Sequence, residues 1–234
     1  MKSVKENSNS WKEWFDRSAE YNEDPRLKMA YQISGQPVPM EVIQATMNDV
    51  YTKLSLSSES SLLDVGGGVG LFSQIFRQKL KCVITTDISF NMAKSGRKLT
   101  SGDYVVCESG FLPFTSSCFD RLLCYSVFHY LGTLERVKET ILEFLRVVNN
   151  DGLILLGDIP LKQNTVNQQE KKDYKKPSQF PDFLRHNLKT LTFDPNFFTD
   201  IASSHNFECK ILNQKIEGKV TALNRFDVLI RVSK

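Results

Sequence analysis

Four glycines and an aspartate stand close together in the stretch SLLDVGGGVGLF at residues 61–72. Residues 61–65 have the pattern of a short buried strand, and an apolar helical pattern begins at residue 71. A glycine turn between a strand and a helix lets backbone N–H groups approach a ligand closely. The residues of this turn are Asp64, Gly66, Gly67, Gly68 and Gly70. We predict a ligand-binding turn, and its aspartate favours a ligand with a positive or hydrogen-donating group.

The spacing of the glycines separates two kinds of nucleotide cofactor. A dinucleotide turn has the pattern G-x-G-x-x-G, whose third glycine packs the helix against the strand. Counted from Gly66 the third position is Leu71, and counted from Gly68 it is Ser73. The spacing that fits is D-x-G-x-G-x-G, and the carboxylate of Asp64 would repel a pyrophosphate. The turn therefore favours a cofactor without a phosphate group.

Four further motifs follow the turn in order, and together with it they resemble the class I S-adenosylmethionine-dependent methyltransferases. The motifs are KCVITTD at 81–87, ESGFLPF at 108–114, CFDRLLCYSVFHYL at 118–131 and LRVVNNDGLILLGD at 145–158. The second resembles the family's G-D-A-x-x-L-P-F loop, the third its F-D-x-V…H-H-L strand, and the fourth its R-V-L-K-P-G-G-x-L segment. The resemblance is strong over about residues 60–160 and extends by topology alone over 194–232.

This resemblance implies S-adenosylmethionine as the cofactor. In the family, the residue at Asp87 holds the two ribose hydroxyls, and the residues at Ile88 and Met92 flank the adenine. An N-terminal segment often covers the cofactor, and of its two tyrosines, Tyr21 and Tyr31, we assign Tyr21 to that role. The full set of implied cofactor residues is Asp64, Gly66, Gly67, Gly68, Gly70, Asp87, Ile88, Met92, Glu108, Ser109, Gly110, Tyr125 and Tyr21.

Two of these positions leave alternatives open. Asp64 suits the cationic amino-acid end of the cofactor, but it could instead only cap the turn. Glu108 stands where the family has an aspartate that reaches the adenine amino group, and its longer side chain need not make the same contact.

Catalysis by this family needs little from the protein beyond alignment. Methyl transfer from a sulfonium is an in-line displacement, and alignment of the acceptor supplies much of the acceleration. A base is required only where the acceptor must lose a proton. His129 follows the fourth predicted strand and Asp158 ends the fifth, so these are the candidate catalytic residues. The structural alternatives are a packed ring for His129 and a turn residue for Asp158.

Strand and helix patterns alternate five times and then give two successive strands. The predicted strands are 61–65, 81–87, 103–107, 119–125, 153–159, 207–214 and 223–232. This order predicts an α/β fold, with a Rossmann-like seven-stranded, mostly parallel sheet, helices on both faces and an antiparallel C-terminal hairpin at one edge.

The chain divides into a short N-terminal part and one larger domain. We predict a helical lid or cap at 1–55 and a methyltransferase domain at 56–234, with a substrate-side insertion at 160–193. In the lid, Trp11, Trp14 and Phe15 share one side of a helix. They either contribute aromatic rings to a pocket or pack the helix on the core.

Composition and charge bound the environment and partners. The chain has 234 residues, a net charge of +3 and five cysteines without C-x-x-C spacing. Such cysteines indicate reduced thiols in a cytoplasmic protein, and no metal site is expected. The polar N-terminus does not resemble a secretory signal, and no apolar run is long enough to span a membrane. The mild charge does not favour nucleic acid as a partner.

The acceptor is sought in the insertion. Residues 160–193 contain seven basic and three acidic side chains, with Phe180, Phe183 and Leu184 among them. We expect an anionic small-molecule acceptor, such as a sugar phosphate, a nucleotide-sugar or a lipid-linked glycan, although a solvated loop has the same pattern. The sequence leaves the oligomeric state open.

The function that the sequence favours is O-methylation of a small molecule or glycan precursor. The alternatives are an RNA, tRNA or protein methyltransferase and a catalytically silent S-adenosylmethionine-binding module; a nicotinamide oxidoreductase ranks last. Enzymes that methylate base amino groups carry N/D-P-P-Y/F after the fourth strand, where this chain has Tyr125, Ser126, Val127 and Phe128.

Overall fold

The structure, a computed structural model, describes residues 2–33, 35–162 and 190–233. The chain begins with helices and one short antiparallel hairpin. These elements are α1 (Lys2–Tyr21), α2 (Pro25–Lys28), β1 (Gln32–Ile33), β2 (Gln36–Pro37) and α3 (Met40–Lys53). Asp24 caps α2 by accepting a hydrogen bond from the N–H of Arg26 at 2.8 Å, and Pro25 supplies the fixed φ that suits a first helical position.

A seven-stranded sheet follows. Its strands are β3 (Ser61–Val65), β4 (Cys82–Asp87), β5 (Asp103–Val106), β6 (Phe119–Tyr125), β7 (Val148–Pro160), β8 (Glu208–Asn213) and β9 (Arg225–Arg231). The spatial order is β5-β4-β3-β6-β7-β9-β8, and β9 runs antiparallel to both of its neighbours. The predicted α/β sheet with an antiparallel C-terminal pair at one edge is confirmed, and β9 lies inside β8 in that pair.

Helices cover both faces of the sheet. They are α4 (Leu71–Arg77), α5 (Phe90–Thr100), α6 (Leu134–Val147) and α7 (Asn196–His205). On one face Phe144 of α6 and Phe198 of α7 pack with the buried ring of Phe128. On the other face Met47 of α3 and Phe76 of α4 are each only 1% exposed. Burial on both faces explains the near-continuous apolar sequence of the central strands.

Strand β7 begins five residues earlier than its predicted start at residue 153. The stretch NNDG continues the strand, and the register with β6 shifts between Phe119 and Arg121. Asn149 Nδ2 donates to Asp120 Oδ1 at 2.9 Å, and Asp151 takes a left-handed φ of 60°. A bulge supported by this side-chain contact therefore replaces the simple turn that the composition indicates.

The strand order indicates at which edge of the sheet a ligand would bind. β3 has β4 on one side and β6 on the other, so the chain reverses its direction of growth between them. In open parallel sheets, ligands bind outside the carboxyl ends of the strands at such a point. The predicted insertion at 160–193 starts from this same edge, and most of it lies outside the described residues. Its two described ends meet, since Lys162 N donates to Phe193 O at 2.8 Å.

Candidate functional site

The N–H groups of Gly66, Gly67 and Gly68 in the glycine turn are used within the protein. The N–H groups of Gly66 and Gly67 donate to Thr86 O at 2.8 and 3.0 Å, and that of Gly68 donates to Asp87 Oδ2 at 2.9 Å. A phosphate bound at a helix start requires such donors to be free. The expectation that N–H groups of the turn face a ligand is therefore wrong for these three, and N–H groups used in this way do not bind a pyrophosphate.

Asp64 lies beneath the turn instead of facing a ligand. Its side chain is 2% exposed and accepts a hydrogen bond from Ser73 Oγ at 2.5 Å. Burial raises the pKa of Asp64 to about 6. A Cβ on Gly67 would stand 2.5 Å from Asp64 Oδ2, so glycine leaves the space that this carboxylate fills. Asp64 therefore joins the end of β3 to α4, and its assignment to the amino-acid end of a ligand is corrected to the structural alternative.

Gly66 brings two loops of the site into contact. It has a left-handed φ of 73°, and a Cβ at this position would collide with the side chain of Val127. Val127 belongs to the segment after β6, so glycine here allows the ends of β3 and β6 to touch.

Asp87 ends β4 with both of its carboxylate oxygens anchored. Oδ1 accepts from Ser89 N and Oδ2 accepts from Gly68 N, each at 2.9 Å. Burial raises the pKa of this carboxyl to about 6. Each oxygen keeps a further lone pair, so Asp87 is a rigid acceptor of two additional hydrogen bonds.

A cleft opens over the carboxyl ends of β3, β4 and β6, with a volume of about 1070 Å³ including its open mouth. Of the residues assigned from the sequence, its walls contain Gly66, Gly68, Asp87, Ile88, Met92, Glu108, Ser109, Gly110 and Tyr125. Gly67, Gly70 and Asp64 lie behind these walls. The sheet order thus gathers residues from four separate motifs around one cavity.

One end of the cleft is formed by the loop after β5. Glu108 is half exposed and forms an ion pair with Arg136 of α6 at 3.0 Å. The carboxylate is thus engaged from outside the loop, and Arg136 becomes part of the same wall. Nothing in the sequence pairs these two residues, which lie 28 positions apart.

The N-terminal helix α1 crosses the cleft. Trp11 and Phe15 line it and pack on Tyr130, with ring centroids 4.4 and 5.3 Å apart. Tyr21 is 80% exposed and lies outside the cleft, so its assignment to the cofactor site is corrected. Of the two N-terminal tyrosines, Tyr31 is the one that lines the cleft. Tyr21 follows Phe15 by six positions, which turns it about 120° away from the inward face of the helix.

His129 is buried outside the cleft walls. It is 4% exposed and lies in the single helical turn Phe128–Tyr130, from which Tyr130 faces the cleft instead. Burial, with a smaller contribution from Arg225, lowers the pKa of His129 to about 3. The imidazole is therefore neutral and packed, as in the structural alternative.

Asp158 also lies behind the cleft. It is 6% exposed, accepts from Lys219 Nζ at 2.6 Å and accepts from Ser126 Oγ at 2.9 Å. Burial alone would raise the pKa of Asp158, but Lys219 and Arg225 outweigh burial and hold it below its usual range. A carboxylate paired in this way is a poor proton acceptor, so neither candidate base is placed for that role.

The sequence of this region matches one family of known proteins. The family model described as a methyltransferase domain matches residues 63–156, which run from the glycine turn through β7. These residues form a methyltransferase domain of the class I S-adenosylmethionine-dependent type. Within the methyltransferase fold, the matched segment holds every assigned residue of the cleft wall.

Individual relatives agree on methyltransferase chemistry. The chain is 33% identical over 104 residues to the malonyl-[acyl-carrier protein] O-methyltransferase of Hamiltonella defensa, and this match covers 44% of the chain and 39% of the relative. It is 30% identical over 177 residues to the tRNA (carboxymethyluridine(34)-5-O)-methyltransferase alkbh8 of Xenopus tropicalis, covering 73% of the chain and 28% of the relative. The chain thus matches less than half of either protein.

Solved structures of other proteins share the fold. Phosphoethanolamine N-methyltransferase 1 of Haemonchus contortus, solved with phosphoethanolamine and S-adenosylhomocysteine, superposes with a TM-score of 0.72 at 14% identity. The match covers 99% of this chain and 50% of that chain. At this identity the likeness shows the methyltransferase fold alone.

The residues of the cleft fit the methyltransferase cofactor, S-adenosylmethionine. The cofactor has two ribose hydroxyls for the anchored oxygens of Asp87, and a flat adenine that Ile88 and Met92 can flank. It has no phosphate, in agreement with the occupied N–H groups of the glycine turn. When bound, the cofactor supplies an electrophilic methyl group. Asp87 would supply the hydrogen-bond acceptor, Ile88 and Met92 the apolar flanks, and Trp11 and Phe15 the aromatic cover.

Proposed function

We propose that the protein transfers a methyl group from S-adenosylmethionine to an oxygen atom of a small molecule or glycan precursor. The observation that carries this proposal is Asp87, which presents two backbone-anchored oxygens to a cleft at the carboxyl ends of the strands. The residues at 88, 92 and 108–110 support the same cofactor position.

An oxygen that is already ionised suits this cleft best. Neither His129 nor Asp158 lines its walls, so a protonated alcohol would find no base among the two candidates. A carboxylate oxygen is ionised at neutral pH and needs only alignment with the methyl group. The two relatives are named as O-methyltransferases of malonyl-[acyl-carrier protein] and of carboxymethyluridine in tRNA, and both of these substrates contain a carboxyl group, which favours the same acceptor chemistry.

The basic side chains that line the cleft only partly favour an anionic acceptor, because both are paired with carboxylates. Lys12 and Arg136 line the cleft, but Asp16 pairs with the first at 2.8 Å and Glu108 with the second at 3.0 Å. Further positive charge is present in the sequence of 160–193, most of which lies outside the described residues. This segment is proposed to complete the acceptor site.

The N-terminal residues 1–55 are proposed to act as a lid. Helix α1 contributes Trp11 and Phe15 to the cleft and contacts Tyr130 across it. Removal of water from the methyl-transfer site would follow from this aromatic cover.

A modified nucleoside in tRNA is the second candidate acceptor. The named tRNA methyltransferase matches 73% of this chain, which favours it. The net charge of +3 on 234 residues gives weak attraction to RNA.

In the described part of the chain, no helix has the length and apolar character to cross a membrane. A cytoplasmic location stays a prediction.

Two measurements test the function. Calorimetry should detect binding of S-adenosylhomocysteine by the wild-type protein and a much weaker affinity for Asp87→Ala. Labelled S-adenosylmethionine should then transfer its methyl group to one member of a panel of carboxylates, sugar phosphates, nucleotide-sugars and unmodified or carboxymethylated tRNA. Absence of cofactor binding would exclude the proposal, and transfer to tRNA alone would select the second candidate.

A further inference from the structure

Two residues with left-handed backbone meet at the carboxyl ends of β6 and β7. Ser126 has a φ of 61° and Asp158 a φ of 60°. Such backbone is unfavourable for residues other than glycine and persists where the surroundings enforce it. Ser126 Oγ donates to Asp158 Oδ2 at 2.9 Å, and Ser126 N donates to Gly157 O at 2.9 Å. Ser126 is therefore fixed by both its side chain and its backbone.

Lys219, which is not among the residues that line the cleft, contacts this pair. It lies in the segment between β8 and β9, and its Nζ donates to Asp158 Oδ1 at 2.6 Å and to the hydroxyl of Tyr125 at 2.7 Å. The side chains of Lys219 and Asp158 are 12% and 8% exposed. Charge-assisted hydrogen bonds are strong and directional in such surroundings. Lys219 thus fixes two neighbouring wall residues, Tyr125 directly and Ser126 through Asp158.

Ser126 Oγ donates its proton to Asp158, so the lone pairs of this oxygen are available to accept a hydrogen bond from a donor in the cleft. Ser126 lines the cleft beside Val127, and Val127 packs against the glycine turn at Gly66. The amino-acid end of the cofactor carries an ammonium group, which requires such an acceptor. Asp64 lies outside the cleft and cannot serve.

We propose that Ser126 accepts a hydrogen bond from the ammonium group of the cofactor, and that Lys219 is the positioning residue that holds Ser126 through Asp158. This inference rests on the proposed function. It means that the C-terminal segment before β9 sets the affinity for the amino-acid end of the cofactor, although the sequence motifs of the cofactor site all end before residue 160.

Two probes separate the amino-acid end from the rest of the cofactor. S-adenosylhomocysteine carries that end and 5′-methylthioadenosine lacks it. Calorimetry should show that Ser126→Ala lowers the affinity for S-adenosylhomocysteine about tenfold, as expected for loss of a charged hydrogen bond. The affinity for 5′-methylthioadenosine should change less than about twofold. Lys219→Met should give the same split with about a fivefold loss, and Lys219→Arg should recover part of it.

The control is Lys215→Met, which removes an exposed cation from the same segment and should leave both affinities unchanged. Because loss of one partner of a buried ion pair can unfold a protein, Ser126→Ala keeps the test valid if Lys219→Met is unstable. Equal losses for both probes, or no loss in Ser126→Ala, would overturn the inference. Failure of the wild-type protein to bind either probe would instead overturn the proposed function and this inference with it.

Discussion

The carboxylate of Asp16, on the N-terminal helix, accepts a hydrogen bond from the hydroxyl of Ser89 at 2.6 Å. The same oxygen accepts from Asn91 N at 3.1 Å, so Asp16 adds to the cap at the start of α5. Ser89 N in turn donates to Asp87 at 2.9 Å. One serine thus touches both the helix proposed as a lid and the aspartate proposed to bind ribose, which couples the two.

Loss of this contact should loosen the lid and weaken cofactor binding. Asp16→Ala removes the acceptor, and we expect S-adenosylhomocysteine to bind about fivefold more weakly, as for loss of about 1 kcal/mol. The two tryptophans of the chain, Trp11 and Trp14, both lie on α1. Their fluorescence therefore reports on the lid alone, and acrylamide should quench it more strongly in the variant. Glu13→Ala breaks only the exposed pair with Arg17 and should change neither signal; equal effects in both variants would contradict the coupling.

Cofactor affinity should fall in mild acid because of Asp87. Its pKa of about 6 in the folded protein means that protonation begins below neutral pH and removes the charge that accepts the ribose hydroxyls. We expect the Kd for S-adenosylhomocysteine to rise about tenfold per pH unit well below pH 6. Calorimetry from pH 5 to 8 measures this, and Asp87→Asn should bind weakly at every pH. Asp64 has a similar pKa but lies outside the cleft, so Asp64→Asn should keep the wild-type pH profile of affinity. A flat pH profile in Asp64→Asn would show that Asp64, and not Asp87, causes the pH dependence.

His129 should govern stability in acid. Its pKa of about 3 lies below the usual 6.5, so between these values the unfolded chain binds more protons than the folded one, and the free energy of unfolding rises with pH. Acidification from pH 7.5 to 5 should cost about 2 kcal/mol through this group. Urea unfolding of His129→Gln should lack this part of the pH dependence.

The raised pKa values of Asp64 and Asp87 act in the opposite direction, stabilising the fold as pH falls through about 6. The informative quantity is therefore the difference between wild type and His129→Gln at the two pH values. His205→Gln, which replaces an exposed histidine at the end of α7, serves as the control. An unchanged pH slope in His129→Gln would show that the imidazole is not held neutral by burial.

Local patterns were sufficient for much of the cofactor site. The glycine spacing after β3 and the acidic residue that ends β4 belong to single strand-and-turn units, so sequence neighbours determine them. Their place in one cleft follows from the parallel order of the strands, which the alternation of strand and helix predicts. The assigned wall residues Asp87, Ile88 and Met92 lie where these rules put them.

Side-chain direction was beyond local patterns. Asp64 and Gly66 are two positions apart, yet the carboxylate turns under the helix to Ser73 while the glycine faces Val127. His129 and Tyr130 are adjacent, but only Tyr130 reaches the cleft. A short helical turn presents successive residues on different sides, and packing against the core chooses which one is buried.

The sequence by itself determined the fold, the class of cofactor and the edge of the sheet where the cleft opens, because these depend on periodicity and on spacing within short segments. Only the tertiary structure decided that Asp64 supports the glycine turn, that α1 places Trp11 and Phe15 over the cleft, and that Lys219 holds Asp158. Each of these contacts joins residues on separate elements or depends on the direction of a side chain. Packing fixes such directions only once the sheet has assembled.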